Sequence, residues 1–310
     1  MPRTRHLILR LLLAALIGGP ALAGAPEAWS GPVFDPALPA AVTATLAPTG
    51  HLLVRPLVDG RDIGAFILDT GASVHLIDPE AVALLDLRRS RPRLSQDIGG
   101  RTVRSAVWRA VELQLGPVKW ENPEFFEHDL AYLSRNLGVK VAGILGHDLF
   151  SDAVAELDLG AGALSLHDPA TFELLSGEWQ SMRLVDGIPQ LRAQFEDHEG
   201  WFAVDTGAAA DTVTFHSPTV RRLDLLDDRR TRSKQIAGAS GPMDLRSGRL
   251  TWFELSGHRF ERPRASFATS RRGPLASRSA YGTIGGDFLA PFLLVFDYQN
   301  RRAVLAPKPG

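Results

Sequence analysis

The sequence predicts an all-β (mainly) protein made of two homologous β-rich lobes with short helices. Three observations predict this. Four sequence blocks recur in one order in both halves, each copy alternates apolar runs with turn residues, and 310 residues suffice for two units of about 150 each. The first block reads FILDTGAS from Phe66 to Ser73 and FAVDTGAA from Phe202 to Ala209, which sets Asp69 and Asp205 136 residues apart. The second reads GILGHDLF from Gly143 to Phe150 and GTIGGDFL from Gly282 to Leu289, 139 apart. Asp158 and Leu166 recur as Asp297 and Leu305, again at 139, and Trp120, Glu121 and Pro123 recur as Phe260, Glu261 and Pro263 at 140. A period this long describes two whole lobes and not a solenoid, whose repeats run about 20 to 50 residues.

Residues 1–23 read as a secretory signal peptide. Arg3, Arg5 and Arg10 precede the apolar run Leu11 to Ile17, and the small-residue triplet Ala21, Leu22, Ala23 offers a cleavage site. The expected location is the periplasm or the exterior; the alternative is an uncleaved N-terminal anchor in the inner membrane, although the run is short of the roughly 20 residues a span needs. Residues 24–47 hold Pro26, Pro32, Pro36 and Pro39 and read as an extended, Pro-rich leader on the surface. The N-terminal lobe is expected over 48–170, a linker over 171–182 and the C-terminal lobe over 183–308.

Within the first lobe, Leu52 to Val54 and Leu57 to Val58 run up to the turn pair Asp59-Gly60, and Ala65 to Leu68 form an apolar strand ending at Asp69. The second lobe repeats this with Gln190 to Phe195, a turn near Asp197 to Gly200, and Trp201 to Val204 before Asp205. Val111 to Leu115 and Leu250 to Leu255 read as further strands. Ala153 to Leu166 and Leu293 to Leu305 read as hairpins closing each lobe. Asp78 to Leu87 and Pro218 to Leu226 have helical spacing, and Asp148 and Asp287 are expected to cap short helices.

Composition removes several chemistries. The chain has no cysteine, which excludes disulfides, thiolate metal sites and a cysteine nucleophile. A formal charge of -1 gives no general pull toward nucleic acid or anionic lipid. The nine histidines show no HExxH spacing, so His75 and His147 read as packing or surface residues, and no metal or other cofactor is expected. Neither a Gly-x-Ser-x-Gly elbow nor a phosphate-binding Gly-rich loop with Lys is present.

Two Asp-Thr-Gly loops, each ending an apolar strand and each followed by a Gly-apolar-apolar-Gly or Gly-Thr-Ile-Gly block, resemble those of the aspartic peptidases, and of the retroviral-type (retropepsin-like) bacterial lobe in particular. The resemblance covers about residues 48–308 and implies a bilobal aspartic-protease fold, its two lobes fused in one chain as in the pepsin-like arrangement with an active-site cleft between them. It implies that Asp69 and Asp205 form a catalytic pair acting on an extended peptide or protein substrate, in a monomer with its site inside one chain. Two adjacent carboxyls cannot both ionise, so they share one proton and supply base and acid together. Thr70 and Thr206 would then hydrogen-bond across the lobe interface. Gly71 and Gly207 would let the backbone approach the carboxylates, followed in each loop by Ala72 and Ala208. Gly143, Ile144, Leu145 and Gly146, with Gly282, Thr283, Ile284 and Gly285, would support the loops from below.

Two features depart from the pepsin pattern. Ala72 and Ala208 stand where a hydroxyl residue would donate to each carboxylate, and losing that donor raises a carboxyl pKa, which points to mildly acidic or near-neutral activity. None of Tyr132, Tyr281 and Tyr298 lies in an expected flap. Candidate flaps are Ile98, Gly99 and Gly100 in one half and Gly238, Ala239, Ser240 and Gly241 in the other; an ordinary hairpin turn is the alternative for each. Arg88, Arg89, Arg91 and Arg93, and Arg229, Arg230, Arg232 and Lys234, read as solvated loops, with attraction of an acidic peptide as the other reading. Beside the peptidase, two further functions stay open: a non-catalytic peptide-binding envelope protein that keeps the cleft, and an envelope structural or interaction protein. Pairing of each lobe with its equivalent in another chain is the alternative assembly.

Overall fold

A computed structural model describes residues 11–12, 31–96, 102–208, 212–238 and 241–308. Each lobe is organised around one sheet in which seven strands follow the same order. In the N-terminal lobe the order is Arg88–Gln96, Thr102–Arg109, Glu124–Glu127, His75–Ile77, Val141–Leu145, Ala65–Leu68, Leu52–Val54 and Ala44–Leu46. In the C-terminal lobe it is Arg232–Gly238, Gly241–Arg249, Arg264–Ala268, Val213–Phe215, Gly282–Ile284, His198–Val204, Ile188–Phe195, then Trp252–Leu255 and His258–Glu261. The repeated blocks thus occupy repeated places. Val141–Leu145 lies parallel to Ala65–Leu68, and Gly282–Ile284 lies parallel to His198–Val204.

These central strands are apolar on both faces, as parallel strands covered on both sides must be. Every residue of Ala65–Leu68 and Val141–Leu145 is buried. The expected turn at Asp59-Gly60 forms with both residues at positive φ, 49° and 73°, the backbone of a two-residue hairpin turn. A single apolar cluster runs through both lobes and contains Phe66, Trp120 and Phe150 from one and Phe195, Phe202 and Phe253 from the other.

The two closing hairpins depart from expectation. Val154–Asp158 with Ala163–His167, and Phe292–Asp297 with Arg302–Pro307, are hairpins as read, but they do not close their lobes separately. They pair with each other, Ala155 opposite Phe296 and Leu157 opposite Leu294, in a six-stranded sheet shared by both halves. Strand alternation permits this because both strands carry buried residues, and an unpaired edge would leave backbone groups without partners.

The leader is largely exposed, yet it does not simply run over the surface. Val33–Phe34, Ala41–Val42 and Ala44–Leu46 each add a short strand to a different sheet. Leu11–Leu12 pairs in parallel with the edge strand Arg232–Gly238, while the rest of the segment read as a signal peptide lies outside the described residues.

Helix is scarce. Pro79–Val82 is capped by Asp78, which accepts from the Glu80 amide at 2.9 Å, and Ser217–Arg222 begins with Pro218 in its first turn. Asp148 and Asp287 are not caps: each lies inside its helix, behind Gly146 or Gly285, where a carboxylate favours the helix's positive end. Ala131–Leu137 was not anticipated, although Leu130, Leu133 and Leu137 mark one buried face and Gly138, at φ 70°, ends it. The arginine runs are chiefly strand and not loop: Arg88–Arg93 opens one long hairpin and Arg232–Lys234 the other. Arg93 pairs with Glu124 at 2.7 Å, and Arg229, before its hairpin, with Glu196 at 2.8 Å.

Candidate active site

Asp69 and Asp205 sit at the C-terminal ends of the two central strands. Each is held by its parallel neighbour: the Asp69 amide donates to Leu145 and the Asp205 amide to Ile284, both at 3.0 Å. This is the structural use of the second repeated block, since Val141–Leu145 and Gly282–Ile284 fix where the carboxylate-bearing turns begin. Gly143, Ile144 and Leu145 are buried there as expected, and Gly146 donates to the ring of His75 at 3.0 Å. Gly285 donates to Thr212 at 2.7 Å.

The two turns then lock together. The Thr70 amide donates to Thr206 Oγ1 and the Thr206 amide donates to Thr70 Oγ1, each at 3.0 Å. The hydroxyls in turn donate to the opposite lobe's strand, Thr70 to Val204 at 2.9 Å and Thr206 to Leu68 at 3.0 Å. Four hydrogen bonds between dry backbones leave neither loop free to shift. The glycines explain how the carboxyls come together. A methyl carbon on Gly71 would stand 2.5 Å from Asp205 Cγ, and one on Gly207 would stand 2.5 Å from Asp69 Cγ. Each loop's backbone therefore lies against the other lobe's carboxyl, and any side chain at either position would displace it.

Both carboxyls are almost inaccessible, 1% exposed for Asp69 and 4% for Asp205, and they hydrogen-bond to each other. Burial raises the Asp69 pKa to about 6, against the opposing pull of the Gly71 amide at 2.7 Å. Burial raises Asp205 well above the usual carboxylate range, and the negative charge of Asp69 beside it adds to the shift; the Ala208 amide at 3.0 Å opposes it. A pair so placed favours one proton shared between the two carboxyls. Ala72 and Ala208 bring only methyl groups. Ser73, next in the chain, has its hydroxyl buried without a partner.

Several residues around the pair escaped the sequence reading. His51, fully buried, donates from Nε2 to the Gly207 carbonyl at 2.9 Å and takes a hydrogen bond from Thr49 on Nδ1 at 2.8 Å; burial lowers its pKa to about 4, so it is neutral. Tyr298 stacks on Phe150 at 5.5 Å and lies 5.7 Å from the ring of His147. Its buried hydroxyl ionises only well above its usual range, chiefly because it is dry and also because both Asp charges are near. The only signal for it was its place directly after the recurring Asp297. His75 and His147 pack, as read, His75 against Phe125 at 5.6 Å.

Two long hairpins flank the pair. Ile98, Gly99 and Gly100, and likewise Ala239 and Ser240, lie outside the described residues; Gly238 and Gly241 face each other at the end of the second hairpin. Met243 of that hairpin packs against the N-terminal cluster containing Ala72 and the C-terminal cluster containing Ala208. A cavity of about 50 Å³, partly open to solvent, adjoins Asp205 and Gly71 and runs into the C-terminal lobe. Thr283 lines it and hydrogen-bonds His216 at 3.0 Å, so the second Gly-Thr-Ile-Gly block does more than support the loop.

A family model described as aspartyl protease matches the chain twice, at residues 54–149 and 191–288. No curated protein matches it.

Proposed function

The chain belongs to the aspartyl protease family, and from that premise we propose that it is an aspartic endopeptidase whose catalytic pair is Asp69 and Asp205. The observation that carries this reading is the reciprocal approach of Gly71 to Asp205 and of Gly207 to Asp69, which puts one carboxyl from each lobe into a single dry site. In the proposed reaction the ionised member of the pair takes a proton from a water lying between the carboxyls. The water oxygen bonds to the scissile carbonyl carbon as the protonated member gives its proton to the carbonyl oxygen. Collapse of the tetrahedral intermediate breaks the carbon–nitrogen bond: the proton taken from water passes to the departing amine, and a hydroxyl proton of the intermediate returns to the other carboxyl, which restores the singly protonated pair. The acid and base roles belong to the pair, which titrates as a unit.

The threonine lock supports the reading by holding two acids at a separation that thermal motion of free lobes would blur. An extended peptide would lie between the lobes beneath the two hairpins, pairing its backbone with their strands. We place the working protein as a monomer, exported to the periplasm or beyond, because the repeat supplies both halves of the site and the first residues read as a signal peptide.

The test is cleavage of a peptide library by wild type, Asp69→Asn and Asp205→Asn, with a statine-type transition-state mimic as inhibitor. Cleavage by wild type alone, blocked by the inhibitor, is expected. Peptide that binds in the cleft but is never cut would overturn the peptidase in favour of a binding protein, and activity confined to a dimer would overturn the intrachain site.

A further inference from the structure

The lobes share a framework but differ at one place beside the carboxyl pair. In the N-terminal lobe Leu53, Ile67 and Ile144 stand side by side in register across three strands. In the C-terminal lobe the same three register positions hold Gln190, Ala203 and Thr283. The first trio is sealed: Leu130, Leu133 and Leu137 of the helix Ala131–Leu137 and its start pack onto it in one buried cluster. Over the second trio lies the short turn Pro274–Ala276, with Leu275 buried, and the cavity beside Asp205 is lined by both. Smaller and more polar side chains, with a turn in place of a helix, make a pocket in one lobe where the other has solid core.

Gln190 supplies that pocket with an oriented amide, beside Asp186, His216 and Thr283 in the lining. Its residue is 2% exposed, and its Oε1 accepts from Arg183 Nε at 2.9 Å and Nη2 at 2.7 Å. A guanidinium only donates, so these two bonds fix the amide's orientation and leave Nε2, with two donor hydrogens, as the group with no partner among the described residues. Arg183 is itself held, by the Ser279 carbonyl at 2.7 Å and by the face of Trp201 at 4.6 Å. The donor is thus preorganised at the cavity wall.

We infer that this pocket receives a substrate side chain ending in a neutral hydrogen-bond acceptor, glutamine or asparagine in class, at one of the two residues flanking the cut bond, and that Gln190 selects it. This rests on the proteolytic reading given above. An apolar side chain would leave the Gln190 amide dry and unpaired, which a site built to donate a hydrogen bond penalises. A carboxylate would enter beside the charge on the Asp69–Asp205 pair. A cation would meet Asp186 at the wall but also Arg183 directly behind the amide.

The experiment compares matched peptides that differ only in Gln or Leu at each flanking residue, with wild type, Gln190→Met and Arg183→Met, folding being checked by circular dichroism. Wild type is expected to cleave the Gln peptide about 10-fold better at one of the two positions. Gln190→Met, nearly isosteric, is expected to bring the ratio to within about 2-fold while still cutting, and Arg183→Met to lower it partly. Preference for Leu at both positions, or a Gln preference that survives in Gln190→Met, would overturn the inference. Absence of cleavage by wild type would instead overturn the hydrolytic reading. The pocket is then decided by titrating the same peptides onto Asp69→Asn and onto Asp69→Asn with Gln190→Met: tighter binding of Gln peptide only in the former supports it, and equal binding refutes it.

Discussion

His51 of the N-terminal lobe donates a hydrogen bond to the Gly207 carbonyl of the C-terminal lobe, so one imidazole on the far side of the cleft fixes the backbone beside Asp69. The C-terminal lobe has no such histidine, and the two halves of the site are therefore not equivalent. Replacing it by leucine leaves a buried carbonyl unpaired and should lower stability by about 1–3 kcal/mol at neutral pH in urea denaturation. The pH dependence has a definite sign. The folded pKa, about 4, lies below the unfolded value, 6.5, so between these the unfolded chain binds more protons and wild type loses stability as pH falls. The gap between wild type and His51→Leu should shrink on going from pH 7 to pH 4, and a gap that widens would contradict a neutral, buried imidazole.

The carboxyl pair titrates in the opposite sense. Both folded pKa values are raised, so the penalty for keeping this site ionised is absent near pH 4 and grows as pH rises through about 6. Asp205→Asn removes that penalty together with the chemistry. Peptide cleavage should fall by at least about 10²- to 10⁴-fold, while the melting temperature of the variant, relative to wild type, should climb from pH 4 to pH 7. A variant that is less stable than wild type by a margin growing with pH would argue that the two groups do not share a proton.

The same raised values set the activity profile. With Asp69 at about 6 and no hydroxyl at Ala72 or Ala208 to stabilise either charge, the singly protonated pair should be most populated at mildly acidic to neutral pH. A pH–rate profile for peptide cleavage should show its acid limb near that value; a maximum below about pH 3, where pepsin-type pairs work, would count against it.

Thr70→Val keeps shape and removes a hydroxyl that both accepts from Thr206 and donates to Val204. Each group left dry costs about 1–3 kcal/mol, and Thr206→Val should cost about the same by symmetry. The paired substitution should cost less than the sum of the two, measured by chemical denaturation, because the hydroxyls and amides serve one shared network.

The duplicated frame was legible in the sequence because each repeated block does a distinct physical job: one turns a strand into a carboxylate-bearing loop, the other lies parallel to that strand and holds its end. The positions of Asp69, Asp205 and the two threonines follow from the repeat, and their expected roles from the resemblance its motifs carry. What was not legible depends on contacts between segments that do not repeat. His51 has isoleucine, Ile188, near its equivalent register, so comparing the halves hides it. The sheet shared by Val154–Asp158 and Phe292–Asp297 looks from sequence like two local hairpins, since nothing in either names the other as its partner. Asp148 and Asp287 each stand two residues past the observed cap, because Gly146 and Gly285 take that position. The open and sealed trios share strand character, and only the elements lying over them distinguish a cavity from core.

That shared sheet also imposes an order in time. Val154–Asp158 finds its cross-strand partner only when Phe292–Asp297 has been made, and at about 5 to 20 residues per second the wait is on the order of ten seconds or more. Until then Ala155 and Leu157 have no strand across that edge. The two halves are stitched into one sheet only after most of the polypeptide has been synthesised.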